Sequence, residues 1–168
     1  MRDTRVLLCR ALAVHWPGTF LGAAGLVRRI LIVEDSVSAR AFVRAVLESP
    51  DFAAPLGGCE VVEASSGFEA LRLLPRGPYD LIITDINMAD INGLELLRFI
   101  RASARHRTTP LLIISSLRGE HDVERGLALG ANAYLPKPFS PAQLGDACSQ
   151  LLDAAVHPPR PSEPPGGP

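Results

Sequence analysis

Five residues of this chain carry reactive groups and share one place in the pattern. Glu34, Asp35, Asp85, Ser115 and Lys137 each stand at, or just beyond, the end of an apolar run. Glu34 and Asp35 follow Ile30-Leu31-Ile32-Val33, and Asp85 follows Leu81-Ile82-Ile83-Thr84. Ser115 follows Leu111-Leu112-Ile113-Ile114, and Lys137 comes after Ala133-Tyr134-Leu135-Pro136. Three carboxylates brought together repel unless a cation sits among them. A hard divalent ion answers that need, and Mg²⁺ prefers a couple of carboxylates, waters and phosphate oxygens. A carboxylate can also attack phosphorus to give an aspartyl phosphate. The group in transfer carries charge on its equatorial oxygens, which calls for a metal, an ammonium and a hydroxyl donor around it. Asp85, Mg²⁺, Lys137 and Ser115 would supply the nucleophile and those three partners. One acid at a strand end is equally explained as a cap on the next helix. Capping does not explain five such residues, all at strand ends.

The elements that must position this set are legible from periodicity. Each short apolar run bounded by polar residues reads as a strand buried on both faces, and a charge at its end costs free energy unless paired. After Ser36, a plausible N-cap, Val37, Ala41, Phe42, Ala45 and Val46 repeat at helical spacing until Pro50. Residues 50–59 read as a Pro/Gly-rich loop and 60–64 as a short strand. Ser65-Ser66-Gly67 turns into a helix over 68–74, closed by Pro75 and Gly77-Pro78. Gly93 leads into a helix over 94–104 with Leu94, Leu97 and Ile100 toward the core. Gly130 ends a helix over about 120–129. The last helix, 141–155, opens on a first-turn proline and puts Leu144, Cys148, Leu151 and Ala155 on one face. Strand followed by helix five times predicts an α/β fold with a doubly wound five-stranded parallel sheet. Ligands of such sheets bind outside the carboxyl ends of the strands, where all five reactive residues fall.

Composition sets the outer bounds. A chain of 168 residues with formal net charge -1 is long enough for one full core and gives no electrostatic reason to bind nucleic acid. Cys9, Cys59 and Cys148 are far apart and form no C-x-x-C, so they read as reduced thiols of a cytosolic protein. His15, His106, His121 and His157 have no metal-ligand spacing and read as surface residues. Residues 1–28 form an N-terminal extension whose apolar part, 6–14, contains Arg10 and is broken by Trp16-Pro17-Gly18. That stretch is too short to span a bilayer and only loosely resembles a signal-peptide core. Its glycines make no dinucleotide fingerprint. A translation start at Val27 would instead put the first strand at the terminus. Residues 157–168, mostly Pro, Gly and charge, read as a disordered tail.

Four stretches, in order, carry a family resemblance. They are Ile30-Leu31-Ile32-Val33-Glu34-Asp35-Ser36; Thr84-Asp85-Ile86-Asn87-Met88 with Asn92-Gly93-Leu94-Glu95; Ile113-Ile114-Ser115-Ser116; and Gly130-Ala131-Asn132-Ala133-Tyr134-Leu135-Pro136-Lys137-Pro138-Phe139. Together they resemble the response-regulator receiver domain of two-component systems, over residues 29–156. The resemblance implies a CheY-like, flavodoxin-type (βα)5 fold with strand order 2-1-3-4-5. It also implies that Asp85 accepts a phosphoryl group from a sensor histidine kinase or a histidine phosphotransfer protein. Mg²⁺ would be held by Asp35 and Asp85, by Glu34 through water, and by the backbone carbonyl of Asn87. Ser115 would be the switch hydroxyl, Lys137 the partner of the phosphoryl group, and Tyr134 an aromatic switch that turns inward when Ser115 moves. Asn87 and Leu117 would flank the water path, and the Lys137–Pro138 bond would be cis. The chain departs from the family in three places. Ala89 stands where proline is common, Ser115 where threonine is also common, and positions 35 and 85 stand fifty apart, a longer interval than the family's. The 50–59 loop accounts for the excess and lies on the face opposite the site.

Two other readings compete. Phosphohydrolases with an aspartyl phosphate use D-x-D, but the second acid is here Asn87, whose amide cannot act as the general acid. A receiver-fold scaffold that is never phosphorylated usually lacks a site residue, and all five are present here. No basic helical segment follows residue 155, so direct DNA binding is not expected, nor is membrane association. The expectation is a stand-alone cytoplasmic regulator that catalyses only its own phosphorylation and dephosphorylation. Its downstream protein target would be read through residues 123–129, Tyr134 and 143–150.

Overall fold

The computed structural model describes residues 7–8, 27–117 and 119–156. The readings made for the rest of the N-terminal extension and for the tail 157–168, with Cys9, His15 and His157, lie outside the described residues.

Ile30, Leu31, Ile32 and Val33 are all fully buried, as are Leu81–Ile83 and Leu111–Ile114. Apolar side chains on both faces of a strand require cover on both faces of the sheet. The chain supplies it by alternation: strands β2 (Arg28–Val33), β3 (Cys59–Ala64), β4 (Leu81–Asp85), β5 (Leu111–Ser115) and β6 (Ala133–Pro136) are separated by helices. The helices are α1 (Val37–Leu47), α2 (Pro50–Ala53), α3 (Gly67–Leu73), α4 (Gly93–Ala102), α5 (Glu120–Ala128) and α6 (Pro141–Val156). These five strands pair in parallel in the expected order, with β2 between β3 and β4, then β5 and β6. A sixth, β1 (Leu7–Leu8), adds to the edge antiparallel to β6, with Leu7 opposite Tyr134 and Leu8 opposite Ala133. Side-chain alternation divides the interior in two. Ile30, Ile32, Ile83 and Ile114 meet Leu47, Leu144 and Leu152 on one side. Leu31, Val33, Ile82 and Ile113 meet Ala70, Leu97 and Ile100 on the other. No helix among the described residues is long and apolar enough to cross a membrane.

Two expectations are corrected. Residues 50–59 are not simply a loop: Pro50 opens α2, followed by a 3₁₀ turn at Ala54–Leu56. Proline at the first helical position lacks only an N–H that would have had no partner there. Phe52, 7% exposed, joins the core formed by α1 and α6, and its burial gives the extra segment a reason to fold. His106 is not at the surface but 1% exposed. Its Nε2 lies 2.8 Å from the Leu74 carbonyl and its Nδ1 3.3 Å from Thr109 Oγ1. Burial pulls its pKa below the ordinary histidine value, against the Leu74 hydrogen bond and with help from Arg105. His121 is exposed. Cys148 is a core residue as its helical position predicts, and burial raises its thiol pKa.

Arg101, which the sequence reading passed over, ties the base of the fold together. Its guanidinium donates to the carbonyls of Gly130 (2.9 Å), His106 (3.2 Å) and Thr109 (2.9 Å), and to Asn132 Oδ1 (3.0 Å). Asn132 Oδ1 also accepts from Leu111 N, so one amide oxygen links this arginine to the start of β5. Burial lowers the Arg101 pKa to about 10.

Candidate functional site

The parallel sheet delivers its reactive residues to one end. Glu34 and Asp35 leave β2, Asp85 is the last residue of β4, Ser115 the last of β5, and Lys137 follows β6. Backbone bonds fix these ends relative to one another, with Glu34 N donating to Ala64 O (3.1 Å) and Lys137 N to Ser115 O (2.8 Å).

Carboxylate oxygens of Glu34, Asp35 and Asp85 lie within 4.8 Å of one another. Glu34 is 1% exposed, Asp85 is buried and Asp35 faces solvent. The Lys137 ammonium sits between the two buried acids, donating to Glu34 Oε2 (2.6 Å) and Asp85 Oδ2 (2.9 Å). Burial alone would lower the lysine pKa, but the bonds to Asp85 and Glu34 outweigh it and hold the pKa above the ordinary value. The other carboxylate oxygens accept backbone protons: Glu34 Oε1 from Ser36 N (3.1 Å) and Asp85 Oδ1 from Asn87 N (3.2 Å). Three carboxylates and one ammonium leave two formal negative charges, and every ligand atom is oxygen. That donor set fits a hard divalent ion such as Mg²⁺.

The segment after Asp85 turns back sharply. Gly93 N donates to Ile86 O (3.0 Å), and a Cβ at position 93 would lie 2.1 Å from Asp85 O. Any side chain there would push on the backbone that carries Asp85, so α4 begins on glycine for want of space. Asn87 is exposed at the start of this loop.

Ser115 and Tyr134 are linked through Leu117, expected above only to flank the water path. Ser115 Oγ accepts from Leu117 N (3.2 Å), and Tyr134 Oη donates to Leu117 O (2.8 Å). Tyr134 is 1% exposed and packs inward against the α4 side of the sheet. Burial raises its phenol pKa, with Ser115 acting in the opposite sense. Arg40 was not foreseen: Nη1 donates to Glu34 O (2.7 Å), and Nε lies 3.5 Å from Glu63 Oε1. Its signal in the sequence is faint, an arginine six residues beyond Glu34 on a helix that Ser36 begins. The Lys137–Pro138 bond is cis, as expected.

A family model for the response regulator receiver domain matches residues 30–149. A chemotaxis protein CheY homolog of Campylobacter jejuni is 33% identical over 125 residues, which cover 74% of this chain and 92% of that protein. A probable transcriptional regulatory protein of Picosynechococcus is 38% identical over 131 residues, but they make up only 49% of its length. Among solved structures, the chemotaxis response regulator CheY4 of Vibrio cholerae superposes with a TM-score of 0.67 at 31% identity, over 75% of this chain and 99% of that one. A fold with this strand order and this acidic end, matched by the family model over most of its length, makes the chain a member of the response regulator receiver domain family of two-component signalling.

Proposed function

We propose that the chain is a phosphoacceptor regulator in which Asp85 takes a phosphoryl group from the phosphohistidine of a sensor histidine kinase or histidine phosphotransfer protein. The observation that carries this reading is the acidic cluster of Glu34, Asp35 and Asp85 with Lys137 bridging its two buried members. An Asp85 carboxylate oxygen attacks phosphorus, the P–O bond forms as the P–N bond breaks, and the imidazole leaves with the electron pair. Bound Mg²⁺ would neutralise charge on the phosphoryl oxygens. Asp35 and Asp85 would hold it directly, Glu34 through water, and Asn87 through its backbone carbonyl.

The remaining roles follow from where each group is held. Lys137 is tied to Asp85 and so stands next to the place where the new phosphoryl oxygens appear. The Ser115 hydroxyl proton is not needed by Leu117 N, which is itself a donor, so it is available to a phosphoryl oxygen. Leu117 joins Ser115 to Tyr134, and an inward Tyr134 is the arrangement that a Ser115–phosphoryl contact would favour. The output is a change of protein contacts on α5, β6 and α6, in a cytoplasmic protein that transforms no other substrate.

The test is incubation with acetyl phosphate and Mg²⁺, followed by intact mass and by acid and base treatment. One acid-stable, base-labile phosphoryl group is expected, lost in Asp85→Asn and in the presence of EDTA. Labelling that survives Asp85→Asn would overturn the assignment.

A further inference from the structure

The loop from β4 to α4 is pinned at both ends, by Asp85 and by Gly93, and its middle is held by a contact to another element. Asp90 reaches across to the start of α3, where Oδ1 accepts from Gly67 N (3.1 Å) and Oδ2 from Phe68 N (2.9 Å). The backbones close on each other as well. A Cβ at Gly67 would lie 2.6 Å from both Ile91 Cβ and Ile91 O, so only glycine fits between helix and loop. The helix already has a local cap in Ser66, whose Oγ accepts from Glu69 N (3.1 Å). The two bonds from Asp90 therefore do more than cap α3: they join it to the segment that carries Asn87. Ionised acceptors bind N–H groups more strongly than neutral ones. The Phe68 bond, followed after an opposing burial effect by the Gly67 bond, holds the Asp90 pKa down at about 2. Ala89, beside it, is exposed and donates no backbone hydrogen bond among the described residues.

We infer that Asp90 is a positioning residue for the acidic site: by latching the loop to α3 it keeps the backbone of Asn87 beside Asp85, where a divalent ion would need its carbonyl. The inference rests on the metal-binding, phosphoacceptor reading of that site. Toward α3 the two carboxylate oxygens take one N–H each. Asparagine, with a single acceptor oxygen, keeps one bond, and alanine keeps neither.

The test compares the unphosphorylated wild type with Asp90→Asn and Asp90→Ala. Three quantities are measured: Mn²⁺ affinity by electron paramagnetic resonance, thermal stability in EDTA, and hydrogen exchange of the Gly67 and Phe68 amides. Residues that orient metal ligands typically change metal affinity by about 10- to 100-fold, so Asp90→Ala is expected to weaken Mn²⁺ binding about tenfold, with Asp90→Asn in between and both amides exchanging faster. If Asp90→Ala does not fold, Asp90→Asn carries the comparison. Faster amide exchange with unchanged Mn²⁺ affinity would overturn the inference, since Asp90 would then only cap α3. Unchanged exchange would overturn it too. A wild type that binds no Mn²⁺ at all would instead overturn the metal-site reading on which the inference stands.

Discussion

Replacing Lys137 by methionine probes the centre of the site, because the lysine holds together two acids that the fold has already removed from water. Its side chain is 20% exposed, while those of Glu34 and Asp85 are 1% and 7% exposed. An exposed ion pair contributes about 0.2–1 kcal/mol, and that range does not apply to acids buried this deeply. Removing one partner of a buried pair costs about 3–5 kcal/mol, because the other charge is left uncompensated. The lysine is partly wet, which favours the lower end, about 3 kcal/mol and a fall in Tm of about 10 °C for a domain of this size. That loss belongs to the metal-free protein. A divalent ion among the same carboxylates replaces the missing positive charge, and ligand at about 100 times its Kd adds about 2.7 kcal/mol of stability. Thermal unfolding followed by circular dichroism, in EDTA and in saturating Mg²⁺, should therefore show a large gap between wild type and Lys137→Met that narrows with Mg²⁺. The pH dependence has a definite sign. The folded-state pKa of Lys137 is raised above the ordinary 10.5, so its contribution is complete below that value and is lost as pH rises through the folded value. The two proteins should converge in strong alkali. A loss in EDTA no larger than an exposed pair's, or a gap that Mg²⁺ leaves untouched, would refute the reasoning.

Two further outcomes test the base of the fold. Arg101→Leu removes donors from three backbone carbonyls and from Asn132 Oδ1, and should cost about 3 kcal/mol by urea unfolding while leaving phosphorylation of Asp85 intact. His106 is held neutral by burial, so the unfolded chain binds the proton more readily. Stability should fall as pH drops below about 6.5, the unfolded histidine value, and His106→Phe should flatten that slope between pH 7.5 and pH 5.5 in the same assay.

What could be read in advance depended on whether the signal was local. Four-residue apolar runs ending in Glu34, Asp85 and Ser115 state both the strand and the place where it stops, so the sheet and the cluster at its carboxyl ends were legible. Strand order came from resemblance, since neither periodicity nor spacing specifies which strands pair. The Pro50–Leu56 segment was misread because proline closes one helix and opens another with the same residue, and only the core slot for Phe52 decides between them. His106 and Arg101 were invisible for a related reason. Each is polar, His106 buried and Arg101 half-buried, and their partners are backbone carbonyls elsewhere in the chain, Leu74 for one and Gly130 and Thr109 for the other. Asp90 carries no local signal, because its partners lie more than twenty residues away on α3.

A parallel sheet leaves two margins of unpaired backbone groups, and such margins recruit strands from other molecules. In this protein the two margins are guarded by different means. Along β3 the margin carries Glu60 and Glu63, engaged by Arg29 (3.1 Å) and Arg44 (2.7 Å), and an incoming strand would have to lie against those charges. Along β6 the chain lays its own Leu7–Leu8 against Ala133 and Tyr134. An approaching strand therefore meets charge at one margin and, at the other, two positions already taken by the chain itself. The second is the more easily lost, because it rests on two residues far in sequence from the strand they cover.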